Sequence, residues 1–312
     1  MTPVSRGTRA VRSTSLAAVV STALGAAPAL LAARGAPAPI HLGVIAEEPN
    51  EPDRMLSRYG DLVARLRERL ARASLEMGDL VIARDLDDMS QRIVRGEVDF
   101  VMETVFPTLV LQERSGMLDP ALVVVRSGQR EYHSVFFARR EAPIRRLSDL
   151  QGRTLVLQVL RSTSAFALPK AELARAGIAL VPADDPHAGR DNVRYVLALA
   201  EINQAVWVLH GKGDAGAFSE GNWAALPEKI RSQLRVFHET RPIVRGLLSF
   251  RAGLPATSRR VVEEALLKLD GDEAGRAALD RASGVTRFER LTPADRRELR
   301  GWAPTLRPGP VR

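Results

Sequence analysis

The amino-acid sequence predicts an α/β protein with mainly parallel sheets. Short β-branched runs at residues 80–83, 98–102 and 154–159 alternate with longer stretches of helical period. Glycines stand where those helical stretches stop, as at Gly96 and Gly177, the usual place for a left-handed cap. No internal repeat interrupts the alternation, which sets aside a solenoid or propeller.

Taken in order, residues 40–45 read as a first strand running into a loop marked by Glu47, Pro49 and Pro52. Residues 57–73 place Leu62, Val63, Leu66 and Leu70 on one helical face, and Tyr59 near its start reads as packing. Residues 80–83 form a short strand. A helix over 87–95 turns Met89 and Ile93 inward and stops at Gly96. Strands follow at 98–102, 122–125 and 134–138, with a helix at 109–114. A helical turn at 147–152 ends on glycine, and a strand covers 154–159. Ser162-Thr163-Ser164 opens a helix reaching residue 176. A strand at 178–181, a helix at 203–210, a strand at 214–218 and helices at 261–269 and 273–282 follow. Residues 304–312 hold three prolines and a glycine and are expected to fray.

The chain has 312 residues, 45% hydrophobic and 26% charged, enough for two compact domains. That composition excludes a fibrous, wholly disordered or disulfide-stapled chain. There is no cysteine, so thiolate nucleophiles, Cys-bound zinc, iron–sulfur clusters and lipid attachment to cysteine are excluded. The net charge of +8 sits at the two ends, residues 1–38 and 287–312, and the body between is neutral. Nucleic acid is therefore not an expected partner.

Arg6, Arg9 and Arg12 precede an apolar, Ala-rich run over residues 16–31. Small residues then allow cleavage after Ala27-Pro28-Ala29 or Ala36-Pro37-Ala38. Residues 1–38 read as a secretory signal peptide, cut between 27 and 38. Gly25 and Pro28 break the run, which argues against a membrane anchor. The expected location is the periplasm.

Catalytic motifs are missing. The five histidines fall in no metal-ligand pattern, and there is no G-x-S-x-G or Walker A sequence. Residues 211–216 match G-x-G-x-x-G by letters, but a helix precedes and a strand follows, the reverse of the dinucleotide fingerprint. No enzyme activity, cofactor or metal is expected. The informative segment is 155–164, where an apolar strand ends on Arg161 and three hydroxyl residues open a helix. Unpaired N–H groups and the dipole at such a start favour an anion. A plain N-cap needs only one of those hydroxyls.

Four stretches carry a resemblance. They are Gly96-Glu-Val-Asp-Phe-Val-Met; Tyr132-His-Ser-Val with Ala142-Pro143-Ile144 and Leu147-Ser-Asp-Leu-Gln-Gly152; Ser162-Thr-Ser-Ala-Phe-Ala-Leu-Pro169; and Gly211-Lys-Gly-Asp-Ala. In this order, over residues 40–282, the chain resembles the periplasmic phosphonate/phosphite/phosphate-binding proteins of ABC importers. The resemblance implies a two-lobed type II periplasmic-binding fold, each lobe a mostly parallel sheet flanked by helices, joined by two crossover strands. Lobe one would hold residues 40–135 and 240–285, lobe two 136–239, with crossings near 135–139 and 236–243. Residues 286–312 would be a basic, partly disordered tail. The protein would act as a monomer that captures a small oxyanion and delivers it to an inner-membrane ABC permease.

The resemblance also implies site residues. Ser162 and Thr163 would bind oxyanion oxygens, Ser164 would add its N–H, and Tyr132 would donate its phenol from the other lobe. Several family positions differ. Leu86 stands where the family has an aromatic, Met102-Glu103-Thr104 replaces an aromatic-then-glycine stretch, Glu201-Ile202-Asn203 replaces a Ser-His pair, and the acid after the return strand falls near Glu220 or Gly221. Glu103 either faces the cleft, pairing with a ligand ammonium or with Arg161, or is a surface carboxylate. Thr104 sits beside it in the same stretch. Asn203 is a helix cap or a ligand contact, Ser219 a ligand contact or a turn residue, and Trp207 and Trp223 read as core or rim. A sulfonate or an ammonium-bearing organic anion remains the alternative ligand, and a sensory receptor the alternative role.

Overall fold

The computed structural model describes residues 38–46 and 52–306. The expected signal peptide and its cleavage sites lie outside the described residues, apart from Ala38. In chain order the elements are β1 (Leu42–Ile45), α1 (Pro52–Ala71), β2 (Val81–Ala83), α2 (Leu86–Val94), β3 (Phe100–Glu103), α3 (Val105–Ser115), β4 (Leu118–Arg126), β5 (Glu131–Tyr132) and β6 (Ser134–Arg139). A 3₁₀ turn at Leu147–Leu150 leads to β7 (Thr154–Leu157), a π-turn at Thr163–Ala167, α4 (Leu168–Arg175), β8 (Leu180–Pro182), β9 (Val193–Leu197), α5 (Glu201–Leu209) and β10 (Ala215–Ser219). The chain ends with α6 (Glu220–Ala224), α7 (Glu228–Arg231), β11 (Leu234–Glu239), β12 (Ile243–Val244), β13 (Leu247–Arg251), α8 (Ala256–Leu267), α9 (Glu273–Arg281), β14 (Val285–Arg290) and α10 (Pro293–Leu306).

Two six-stranded sheets form two lobes, ordered β14-β4-β13-β3-β1-β2 and β11-β6-β10-β7-β9-β8. Most strands in each point the same way; β13 and β14 run against the first sheet and β6 against the second. The chain leaves the first sheet through β5 and returns through β12. These two pair antiparallel, Ile243 opposite Tyr132, as a ribbon between the sheets. The first crossing thus lies before the expected 135–139, because β6 is already a full member of the second sheet, and the second falls at the end of the expected 236–243, after β11. Among the described residues no helix is long and apolar enough to cross a membrane.

Local chemistry explains the boundaries. α1 buries Met55, Leu62, Val63, Leu66 and Leu70 against the first sheet. Tyr59 is buried with them, its hydroxyl 3.1 Å from that of Ser283. Asp85 caps α2 by accepting the Asp88 N–H, and Gly96 beyond its end sits at φ +74°, where a side chain is disfavoured. Gly211 takes the same left-handed role after α5, the turn expected there.

The C-terminal region differs most from expectation. Residues 286–306 are not the partly disordered tail expected: β14 completes one edge of the first sheet, and α10 follows it. Leu299, Trp302 and Leu306 recur at helical spacing and are buried against Val105, Phe106, Tyr132 and Leu168. Two of the three acids of this region are spent on Arg130, which reaches Glu289 at 2.8 Å and both oxygens of Asp295 at 3.0 and 2.7 Å. Pro304 falls within the final turns of α10 and does not prevent it. Residues 307–312 lie outside the described residues. β13 escapes the sequence pattern because it is buried on both faces and so shows no alternation.

Candidate functional site

Two helix N-termini, one from each lobe, meet at a single hydroxyl. The first belongs to α3. β3 ends at Glu103, and Thr104 turns the chain into the helix from an extended conformation. The sequence pattern starts this helix at residue 109, two residues after Pro107. Pro107 in fact occupies the first turn, where its missing N–H has no intrahelical partner in any case. Thr104 makes no side-chain cap bond. Its carbonyl accepts the Thr108 N–H at 3.1 Å, and Val105 and Phe106 carry the forward-facing N–H groups.

The second N-terminus follows β7. Ser162 is the cap, its Oγ accepting the Ala165 N–H at 3.1 Å. Residues Thr163–Ala167 then wind as a π-turn, with the Leu168 N–H bonded back to the Thr163 carbonyl. Pro169 accounts for the wide turn. It has no N–H to offer the Ala165 carbonyl, which takes the Gln158 N–H instead at 3.2 Å.

Thr163 joins the two ends. Its buried Oγ1 accepts the Phe106 N–H at 3.0 Å and donates to Thr104 Oγ1 at 2.9 Å. Tyr132 of the ribbon completes the group. Burial pushes its phenol up to about 12, against the opposing pull of hydrogen bonds with Thr163 and Ser164 and of the nearby Arg245 and Arg126 charges. Tyr132 is therefore a neutral donor. Ser134, at the start of β6, holds the π-turn in place by donating to the Ser164 carbonyl at 2.6 Å, while its own N–H bonds Thr240 Oγ1 at 3.0 Å.

The structure thus brings together Ser162, Thr163, Ser164, Thr104 and Tyr132. Glu103 closes β3 one residue before Thr104 and is half-buried. Asn203 and Ser219 are placed otherwise. Asn203 is exposed and is not the cap of α5, which is Ala200; its amide donates to the Ala198 carbonyl at 3.1 Å. Ser219 is buried and caps α6, accepting the Asn222 N–H at 3.2 Å, which is the turn role. Leu86 packs into the apolar cluster of Phe106 and Tyr132. Trp207 and Trp223 are half-buried against the second lobe's core.

Sequence reasoning missed the charges around Tyr132. The Arg245 guanidinium lies over the Tyr132 ring, 5.0 Å from its centroid. Burial holds the Arg245 pKa below its ordinary value; Tyr132 and Glu220 oppose this and Arg126 adds to it. Glu220 accepts the His133 N–H and the Gln129 side-chain amide, both at 3.0 Å. An arginine inside an apolar run, Ile243-Val244-Arg245-Gly246-Leu247-Leu248, was the signal available. Among the described residues no group of His, Asp or Glu could hold a metal ion. The arrangement is a set of converging hydrogen-bond donors, suited to holding an anion.

Residues 45–296 match the family model described as ABC transporter, phosphonate, periplasmic substrate-binding protein. No protein of curated function matches the chain. Among solved structures, XAC2383 from Xanthomonas citri bound to chloride ion is 31% identical, with a TM-score of 0.78 over 86% of this chain and 96% of that one. The same protein bound to ATP gives 30% identity and a TM-score of 0.77, with the same coverage of both chains. PhnD1 from Prochlorococcus marinus in complex with methylphosphonate shares the fold at 17% identity and a TM-score of 0.60, over 86% of this chain and 97% of that one. The chain belongs to the phosphonate-type periplasmic substrate-binding proteins of ABC transporters.

Proposed function

We propose that the protein captures a phosphonate- or phosphate-type oxyanion between its lobes and presents it to an inner-membrane permease, performing no chemistry on it. One observation carries this reading: the N-terminal ends of α3 and of the turn at Thr163–Ala167 converge from the two lobes, with Thr163 between them. A ligand oxygen that displaces the Thr163–Phe106 and Thr163–Thr104 bonds would accept from the Phe106 N–H, the Thr163 and Thr104 hydroxyls, the Ser164 N–H and the Tyr132 phenol. Ser162 would act chiefly as the cap that orients the turn. Asn203 and Ser219 have no part in this reading. The relatives support it, since one is described with chloride and with ATP and another with methylphosphonate. The mature chain would begin between residues 27 and 39 and act in the periplasm as a monomer. Glu103 beside Thr104 favours a second reading, in which the ligand also carries an ammonium.

A thermal-shift panel tests both. It holds phosphate, phosphite, methylphosphonate, 2-aminoethylphosphonate, sulfate and taurine. A ligand at a hundred times its dissociation constant adds about 2.7 kcal/mol of stability, well within detection. A shift with methylphosphonate and none with sulfate supports the first reading; a shift confined to the ammonium-bearing compounds supports the second. A flat panel overturns the oxyanion assignment.

A further inference from the structure

We infer that Arg126 and Arg245 supply the positive charge of this oxyanion site, so that the cleft selects a doubly charged phosphoryl or phosphonyl group over a singly charged sulfonyl one. The inference rests on the reading of the cleft as an oxyanion site and names the charge class that it takes.

Both arginines stand on the short segments that carry the chain out of the first sheet and back. Arg126 ends β4, and its N–H bonds the Gln129 carbonyl; Arg245 follows β12, and its N–H bonds the Arg130 carbonyl. The Arg245 guanidinium packs on the Tyr132 ring, a cation–π contact, and Tyr132 shares one apolar cluster with Phe106 and Ala167 of the two helix starts. Arg245 therefore adjoins the donors already described, and Arg126 lies close enough for its charge to act on both Tyr132 and Arg245.

Their own donors are unmet. Nε of Arg126, and Nε and Nη1 of Arg245, are buried with no protein acceptor among the described residues. Arg65, Arg235 and Arg251 also have an unpartnered Nε, but each places another nitrogen on an acceptor: Asp272, the Ala142 carbonyl and Asp99 respectively. Arg130, on the same segment, is met by Glu289 and Asp295. The carboxylate nearest in charge to Arg245 is Glu220, whose oxygens accept from His133 and Gln129. Two half-buried like charges whose inward donors are unmet destabilise a fold unless an anion joins them. A dianion does this, and the neutral phenol of Tyr132 does not.

Calorimetric titration tests the inference at about pH 8.5, above the second phosphoryl ionisation. The probes are methylphosphonate, inorganic phosphate, ATP and methanesulfonate. ATP and methylphosphonate distinguish a nucleotide from a small solute as the source of the charged group. The native protein is expected to bind a phosphorus compound at least about tenfold more tightly than methanesulfonate, the scale of one charge-assisted hydrogen bond. Arg245→Gln and Arg126→Gln should each weaken binding at least about tenfold. The melting temperature without ligand should hold or rise, because each change removes a half-buried charge whose inward donors are unmet. A merely structural arginine would lower it.

Affinities within twofold of native in both variants overturn the inference, as does methanesulfonate binding as tightly as methylphosphonate. If Arg245→Gln does not fold, Arg126→Gln and the selectivity of the native protein decide. No binding of any probe by the native protein overturns the oxyanion reading as well. Binding lost in Thr163→Val but kept in both arginine variants overturns this inference alone.

Discussion

Replacing Thr163 by valine keeps the shape of the side chain and removes the hydroxyl on which both lobes meet. In the native protein that oxygen accepts the Phe106 N–H at 3.0 Å and bonds Thr104 at 2.9 Å, amid Val105, Phe106, Tyr132, Ala167 and Leu168. A buried N–H left without an acceptor costs about 1–3 kcal/mol. The location of that cost matters. The lobes are joined by the β5–β12 ribbon, and hinge opening would return the Phe106 N–H to water. The penalty therefore falls on the contact between lobes and not on the folding of either. It should shift the balance from joined toward parted lobes by about 5- to 150-fold. The chain has no cysteine, so two introduced ones can carry dyes without background. Arg72→Cys, beyond α1, and His187→Cys, between β8 and β9, are exposed positions on opposite lobes. Single-molecule energy transfer should show a larger low-efficiency population in Thr163→Val. Methylphosphonate affinity should fall by at least the same factor, and the melting temperature should move by no more than about 4 °C. Unchanged energy transfer together with an affinity within twofold of native would refute the reasoning.

Three further outcomes follow from the same contacts. Trp302→Ala removes a buried side chain stacked by Arg175 at 4.0 Å and Arg241 at 5.2 Å, and should cost about 3–5 kcal/mol in urea unfolding; a loss below about 1 kcal/mol would return α10 to the status of a loose tail. Burial alone would raise the Asp295 and Glu289 carboxyls, but Arg130, together with Thr292 at Asp295 and Arg287 at Glu289, outweighs it and holds both below their ordinary values. A folded pKa below the unfolded one gives stability that is full above about pH 4 and lost as the pH falls through the folded value. Urea midpoints of the native protein should therefore fall more steeply below about pH 4 than those of Asp295→Asn, and equal slopes would count against the Arg130 pairing. Asn203→Ala should leave methylphosphonate affinity within twofold of native, since its amide bonds the Ala198 carbonyl; a tenfold loss would restore it to the site.

What could be read in the sequence is what is local. The hydroxyl triplet at 162–164 stands out because a strand-to-helix step and its first-turn donors occupy adjacent residues. The amphipathic faces of α1 and α2 were legible for the same reason: the period of the chain and the face it buries are one pattern. α10 was hidden because its arginines were counted by sign, while Leu299, Trp302 and Leu306 were not placed on one face. Ser219 and Asn203 could not be resolved, since a turn residue and a ligand contact call on the same side chains; only the direction of the Oγ or amide separates them. The apolar run around Arg245 marks that residue as unusual, but the meeting of Arg245 and Arg126 at Tyr132 is not legible, for a different reason. Their placement depends on β5 pairing with β12, which joins residues far apart in the chain, and no periodicity records that pairing. The same holds within the readable part of the site. The hydroxyl of Thr163 is a local signal, but its partner, the Phe106 N–H, is brought to it only by the two crossings and by a first turn that Pro107 disguises. A site built between lobes will show its donors in sequence one helix start at a time, and its charge only where the crossings meet.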